Sequence, residues 1–396
     1  MLGSPSSSRP FRALALVLVL ALALRWPGMS ASVWFDEACM STQRVGTWAQ
    51  LLTTLYVDIH PPLFLSGMHL WNRVFGDGEV ALRLPALVAG LASLPLCFAL
   101  ARRLAGERTA WVALALLVVS PVHVYYSHEA RLYAPMVTLA LAATLLFHGA
   151  VERAAAGSRP RLWPLALVLA VAVGTHYYLA TYLLVLFLAG LLLWRGARPV
   201  GQLASFGRRL SLWTGAILAA TALWVAIKLR LAEFETSQGY MQTFDLAELG
   251  SLLLSWLWTG EVLPGAAMGA LGGPAQVALV GLGTVLLSVG AMALWRDRAA
   301  RPGGPFLLVW LLTVPVFLLC VALLGMGGTY IERSAIPALP FLMIVVARGA
   351  VEAWDWTSAR AVGRGAGVAL ALLALLNLTA FYRWGDQWLL YKPHQD

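Results

Sequence analysis

The chemistry in this chain is carried by a few ionisable residues set among apolar runs. Asp36 and Glu37 stand side by side in Trp34-Phe35-Asp36-Glu37, a carboxylate pair between aromatic walls. Partial withdrawal from water would make such a carboxylate a stronger base, so Asp36 and Glu37 are both candidates for a general base. A solvated acidic pair is the plainer alternative. Asp58-Ile59-His60-Pro61-Pro62-Leu63 places an acid and an imidazole just before a helix start, where backbone N–H groups favour an anion such as phosphate. A third cluster, Tyr125-Tyr126-Ser127-His128-Glu129-Ala130-Arg131-Leu132-Tyr133, falls between two apolar runs. Ionisable groups at such boundaries are costly and usually functional. Glu129, Arg131 and Tyr133 are candidates there, and a simple Glu129–Arg131 pair is the alternative. Arg83 and Arg333 each open an apolar run and each require an anionic partner, either a protein carboxylate or a bound phosphate. Asp36, Glu37, Asp58, His60 and Glu129 are also the groups that would hold a divalent metal. Their spacing matches no compact ligand motif, so no cofactor is assigned and the metal is left open.

The elements that must position these groups are membrane helices. Hydrophobic residues make up 60% of the chain and charged residues 12%, and mean hydropathy is +0.75. Ordinary soluble domains are roughly 25% charged. Apolar runs of about 17 to 22 residues recur between short charged loops, each long enough to cross a bilayer. They predict an all-α integral membrane protein of about eleven spans, near residues 11–28, 82–101, 110–127, 133–151, 162–176, 178–194, 211–229, 274–294, 305–325, 334–350 and 366–382. The net charge of +9 reflects asymmetry across the membrane, not nucleic-acid binding. Arg102, Arg103, Arg108, Arg153, Arg296, Arg298 and others gather on alternate loops where few acids fall, which makes those loops cytoplasmic. Every candidate site residue then lies on the opposite face. The predicted location is a bacterial-type plasma (inner) membrane, multi-pass, with the active site facing the periplasm or outside.

Two outer segments are long, residues 29–81 and 230–273, and long ordered loops tend to carry function. In the first, Leu63, Phe64, Leu70, Trp71, Val74 and Phe75 recur at helical spacing after Pro61-Pro62. A helix of about 14 residues reaches roughly 20 Å, too short to span, so it is expected to lie along the interface. Residues 38–56 read the same way. In the second, Tyr240, Trp256 and Trp258 are headgroup anchors by default. The whole chain reads as one transmembrane domain. Cys39, Cys97 and Cys320 are scattered and support neither disulfides nor a zinc site. The first apolar run could be a cleaved signal peptide, but a retained helix is the favoured reading because the next segment leads straight into Asp36.

The segments WFDEA at 34–38, DIHPPL at 58–63, FGDGEVALRLP at 75–85, SPVHVYYSHEARLYA at 120–134 and ERSAIPALP at 332–340 together resemble bacterial family 39 glycosyltransferases. That group is related to the protein O-mannosyltransferases and to the aminoarabinose transferase of lipid A. The resemblance implies a GT-C type bundle. It also implies inverting transfer of a sugar from a polyprenyl-phosphate donor to a lipid, glycan or protein acceptor outside the cytoplasm. It maps the base to Asp36 with Glu37 beside it, and a donor-phosphate role to His60, which stands before Pro-Pro-Leu where some relatives have Lys. The soluble sugar-binding insert of the eukaryotic mannosyltransferases has no counterpart here. The chemistry is consistent: the phosphate leaving group needs cations more than an acid, and Arg131, Arg333 and His60 can supply them.

Three other classes of function would use the same residues. A lipid or solute transporter would place its charges near the bilayer midplane, whereas these cluster at helix ends. A non-catalytic subunit of envelope polysaccharide assembly would leave the carboxylates merely solvated. A membrane glycosidase would need a second acid facing Asp36 across a sugar.

Overall fold

In the computed structural model the described residues are 8–33, 35–38, 40, 47–57, 60–195, 202–231, 266–316 and 331–356. The expected Tyr240–Trp258 segment and the eleventh span at 366–382 lie outside them, as do Cys39 and Cys320. Among the described residues the secondary structure is helical throughout. The helices are α1 Ser8–Arg25, α2 Phe35–Ala38, α3 Trp48–Val57, α4 Pro62–Phe75, α5 Glu79–Ala105, α6 Glu107–Val119, α7 Pro121–Ser127 and α8 Tyr133–Ala155. They continue as α9 Trp163–Thr175, α10 Ala180–Arg195, α11 Leu203–Leu231, α12 Ala266–Arg296, α13 Phe306–Leu311, α14 Ile331–Ser334 and α15 Leu339–Trp356.

Seven of these stretches are long and apolar enough to cross a membrane, and the bent α6–α7 pair makes a possible eighth. The protein is therefore a multi-pass membrane protein. Residues 163–175 and 306–316 are apolar but shorter.

Helix α15 is central. Of its apolar window, 89% is buried, and it packs against α5, α6, α8, α12 and α13. Around it, Leu94, Leu117, Leu141, Phe147, Trp310, Phe341 and Ile344 form one continuous core. Helix α11, by contrast, has only 17% of its window buried and lies at the periphery, pairing with α10. Small residues allow the tightest crossings. A Cβ on Gly290 would collide with the carbonyl of Val345, and one on Gly349 with that of Leu286, so α12 and α15 touch backbone to backbone.

The third predicted span is not one straight helix. It breaks by 61° between α6 and α7, at Ser120-Pro121. Pro121 has no N–H to continue the helical ladder and crowds the preceding turn. The Ser120 side chain accepts the His123 N–H and starts the new helix. Helix α7 stops at Ser127, and α8 starts only at Tyr133, so the middle of the third cluster, residues 128–132, is a non-helical connection at the end of the bundle.

Among the described residues of the first outer segment the helices are α2, α3 and α4, and some of their boundaries differ from expectation. Helix α4 begins at Pro62 as predicted; of the run expected over 38–56 the described part forms α3 from Trp48, and the short α2 at Phe35–Ala38 precedes it. Helix α4 is two-faced. Leu65, Met68, His69 and Asn72 are buried, and Leu63, Leu70, Val74 and Phe75 are exposed. Such an exposed apolar face suits a helix lying on the bilayer surface.

Candidate active site

Three of the clusters meet at one end of the bundle, joined by a buried ion pair. The Arg83 guanidinium, at the start of α5 and 3% exposed, donates Nε–H to Glu37 Oε1 at 2.9 Å and Nη2–H to Glu37 Oε2 at 2.6 Å. Its remaining hydrogens go to backbone carbonyls: Nη1 to Met29 at 3.1 Å and to Ala31, and Nη2 to Ser32 at 3.0 Å. An arginine has five N–H donors, and all five are engaged inside the protein. Glu37 Oε1 also accepts the Ala130 N–H at 2.8 Å. One carboxylate thus ties the segment after α1, the start of α5 and the connection between α7 and α8.

This geometry revises two expectations. Arg83 has no donor left for a phosphate, and both oxygens of Glu37 are held in the clasp. Both residues are positioned to hold others in place. The clasp fixes α2, the four-residue turn that also carries Asp36. The side chains of Asp36 and Asp58 lie outside the described residues.

Beside the clasp, Gly28, Ser32, Glu37, Arg83, Tyr125, His128 and Glu129 line a narrow pocket. His128 and Glu129 are both 3% exposed. Tyr133 is buried at the start of α8, its ring 4.7 Å from that of Tyr126. Gly28 permits the pocket wall: a Cβ there would fall 2.6 Å from His128 Nδ1. Gly28→Ala is expected to displace the His128 ring and lower both melting temperature and activity. Unchanged values of both would mean that the His128 ring is not held there.

A second grouping lies at the start of α4. His60, half-buried, has its ring 5.5 Å from that of His176. His176 Nδ1 accepts the Tyr178 N–H at 3.0 Å, which leaves Nε2 to carry the hydrogen of the neutral ring. Arg131 lies near His176. The contact depends on Gly174 at the end of α9, where a Cβ would lie 3.0 Å from Leu63 Cβ, so α4 rests directly on α9. The sequence does not put His176 beside His60, because spacing alone does not reveal which helix ends are neighbours. Arg333, half-buried in α14, is at the start of the central helix region.

Sequence reasoning missed a buried network just beneath the pocket. Arg25, fully buried at the end of α1, donates Nη1–H to the carbonyls of Ala21 at 3.0 Å and Val118 at 3.3 Å. It donates Nε–H to Ser127 Oγ at 3.2 Å and an Nη2–H to His123 Nδ1 at 2.7 Å. A guanidinium only donates, so His123 Nδ1 accepts and its Nε2–H donates to Ser93 Oγ at 2.8 Å. Ser93 in turn donates to the Gly90 carbonyl at 2.7 Å. This network ties α1, α5 and the broken α6–α7 pair together. The signal was present in the sequence, as an arginine and a histidine inside apolar spans.

Among the described residues, no group of three or more His, Cys, Asp or Glu gathers as a metal site. Glu37 already spends its oxygens on Arg83 and Ala130.

Comparison with known proteins gives one family and a set of folds. The family model described as dolichyl-phosphate-mannose-protein mannosyltransferase matches residues 59–225. A search of curated protein sequences finds no match. The fold is similar to ArnT from Cupriavidus metallidurans bound to undecaprenyl phosphate, at 18% identity and a TM-score of 0.53, over 97% of this chain and 70% of that one. It is also similar to the Archaeoglobus fulgidus oligosaccharyltransferase in complex with Zn and sulfate, at 12% identity and a TM-score of 0.55, over 93% and 52%. The same archaeal enzyme, AglB, with an inhibitory peptide and a dolichol-phosphate, matches at 13% identity and 0.52, over 98% and 56%. The chain spans 62% of the length of apo ArnT and about half that of the archaeal enzyme. The expected GT-C fold is thus the fold found, shared across nearly the whole chain with these membrane enzymes, and residues 59–225 carry the sequence pattern of the dolichyl-phosphate-mannose-protein mannosyltransferases.

Proposed function

We propose that this protein is a glycosyltransferase that moves a sugar, with inversion, from a polyprenyl-phosphate donor to a hydroxyl of a lipid, glycan or protein acceptor. The reaction takes place on the non-cytoplasmic face of a bacterial-type plasma membrane. One observation carries the reading: the Glu37–Arg83 clasp with the Ala130 N–H, which draws three separate sequence clusters into one buried corner. The fold likeness to ArnT and AglB supports it.

In this scheme Asp36 takes the proton of the acceptor hydroxyl as that oxygen attacks the anomeric carbon. The bond from that carbon to the donor phosphate breaks, and its electron pair leaves with the phosphate. His60, Arg131 and Arg333 offset the charge that develops there, with His176 as a further donor beside His60. Glu37 and Arg83 hold the turn that carries Asp36, Glu129 lines the pocket, and Tyr133 packs on Tyr126 at the start of α8. Residues 29–81 form the catalytic segment of a single transmembrane domain. A divalent cation is compatible with this scheme, since the archaeal oligosaccharyltransferase was solved in complex with Zn, but no step here requires one.

Arg333→Ala tests the phosphate assignment. The expected result is a rise in KM for the polyprenyl-phosphate donor of about tenfold or more, corresponding to one lost charge-assisted hydrogen bond of about 1.5–3 kcal/mol. KM for the acceptor should change little. Equal losses with both substrates would contradict a phosphate role.

A further inference from the structure

At the opposite end of the bundle from the candidate site, α12 ends in the three-residue turn Asp297–Ala299, and the chain returns to α13. Between them runs an open groove of about 530 Å³, lined by Ala291, Met292, Trp295, Arg296, Arg298 and Leu308. Met292 and Trp295 leave 59% and 58% of their surface exposed, as side chains that face lipid do. The span containing them is Val280–Ala299. Trp295 and Arg298 therefore sit at its polar edge, while Ala291 and Met292 lie roughly 5–10 Å deeper, at about 1.5 Å per residue. The groove runs from headgroup depth into the hydrocarbon.

Its charge is also asymmetric. Asp297 and Glu352 are already bound, Asp297 to Arg348 at 2.8 Å and Glu352 to Arg296 at 2.6 Å and to Arg348 at 2.9 Å. Asp355 is bound to Arg108 at 2.9 Å. Arg298 has no carboxylate partner among the described residues. Its guanidinium is stacked 5.0 Å from the centre of the Trp295 ring, and Nη1 donates to the Trp295 carbonyl at 2.9 Å. The stacking and the hydrogen bond hold the cation over the mouth of the groove with further N–H groups to offer.

We infer that this groove binds one anionic phospholipid. Arg298 takes the headgroup phosphate, Trp295 lies at the headgroup boundary, and an acyl chain runs along Met292, Ala291 and Leu308. Basic pockets between membrane helices on the side facing anionic lipid recognise headgroups in this way. The inference is independent of the catalytic reading, since it uses no residue of that site.

The test is lipid retention. Full-length protein is purified from vesicles of equal phosphatidylglycerol and phosphatidylcholine, and the lipid that remains bound is measured by mass spectrometry. Wild-type protein should retain phosphatidylglycerol preferentially, and Arg298→Gln should retain about fivefold less, the effect of one arginine at a lipid surface. Arg102→Gln is the control, because Arg102 also stacks on an aromatic ring, Phe98 at 5.8 Å, but is not among the residues that line this groove. Equal retention of the two lipids, or equal loss in both variants, would overturn the inference. So would inorganic phosphate alone displacing the retained lipid, since that would indicate a phosphate site without lipid recognition.

Discussion

Purified Asp36→Asn protein should bind a polyprenyl-phosphate donor as the wild type does, yet transfer its sugar about 10²–10⁴-fold more slowly. The substitution is nearly isosteric and keeps a hydrogen-bond acceptor, but an amide cannot take the acceptor's proton, and a positioned general base is worth that factor. Parallel measurement of donor affinity and single-turnover rate separates the two effects. Near-normal transfer by the variant would remove Asp36 from catalysis and favour an assembly subunit with a solvated carboxylate. Loss of donor binding together with transfer would make the residue part of the binding surface instead.

The second large effect is expected at the clasp. Removing one partner from a buried ion pair typically costs about 3–5 kcal/mol, because the other charge stays buried without compensation. Arg83→Gln should therefore lower the melting temperature strongly and abolish activity, and Glu37→Gln should do nearly the same. The double variant should be less destabilised than the sum of the two, because the pair is shared. Arg83→Lys should rescue little, since an ammonium cannot make the paired contact with Glu37 while also serving three carbonyls. Thermal unfolding in detergent, followed beside donor binding, checks this. An Arg83→Gln protein of normal stability with weakened donor affinity alone would return Arg83 to the phosphate site that its position in the sequence had suggested.

How much of this was legible beforehand depends on the kind of information each feature requires. The spans followed from hydropathy, because a bilayer demands long apolar helices whatever their neighbours are. Helix α4 was readable from Pro61-Pro62 and its apolar period. The break at Ser120-Pro121 was written in the sequence as a proline inside an apolar run. A straight span was still expected, because length and hydropathy do not register backbone geometry. The clusters around Glu37, Arg83 and Glu129 were each identified, but their joining was not. Arg83 is 46 residues from Glu37, and no periodicity links them. The same limit hid the His60–His176 contact, which depends on Gly174 admitting Leu63. Arg25 and His123 were passed over for another reason. Each was counted as part of an apolar run, although a charged or imidazole side chain inside a span is itself a sign of a buried partner.

The central claim is sugar transfer from a polyprenyl-phosphate donor, and the most direct measurement uses wild-type protein reconstituted in lipid. A panel of labelled polyprenyl-phosphate sugars is supplied with candidate lipid, glycan and peptide acceptors, and product is followed by mass and anomeric configuration. The account predicts transfer from at least one donor with inversion at the anomeric carbon. Protein that binds no polyprenyl-phosphate sugar and transfers none would contradict it, and would leave the likeness to these membrane enzymes as one of fold alone.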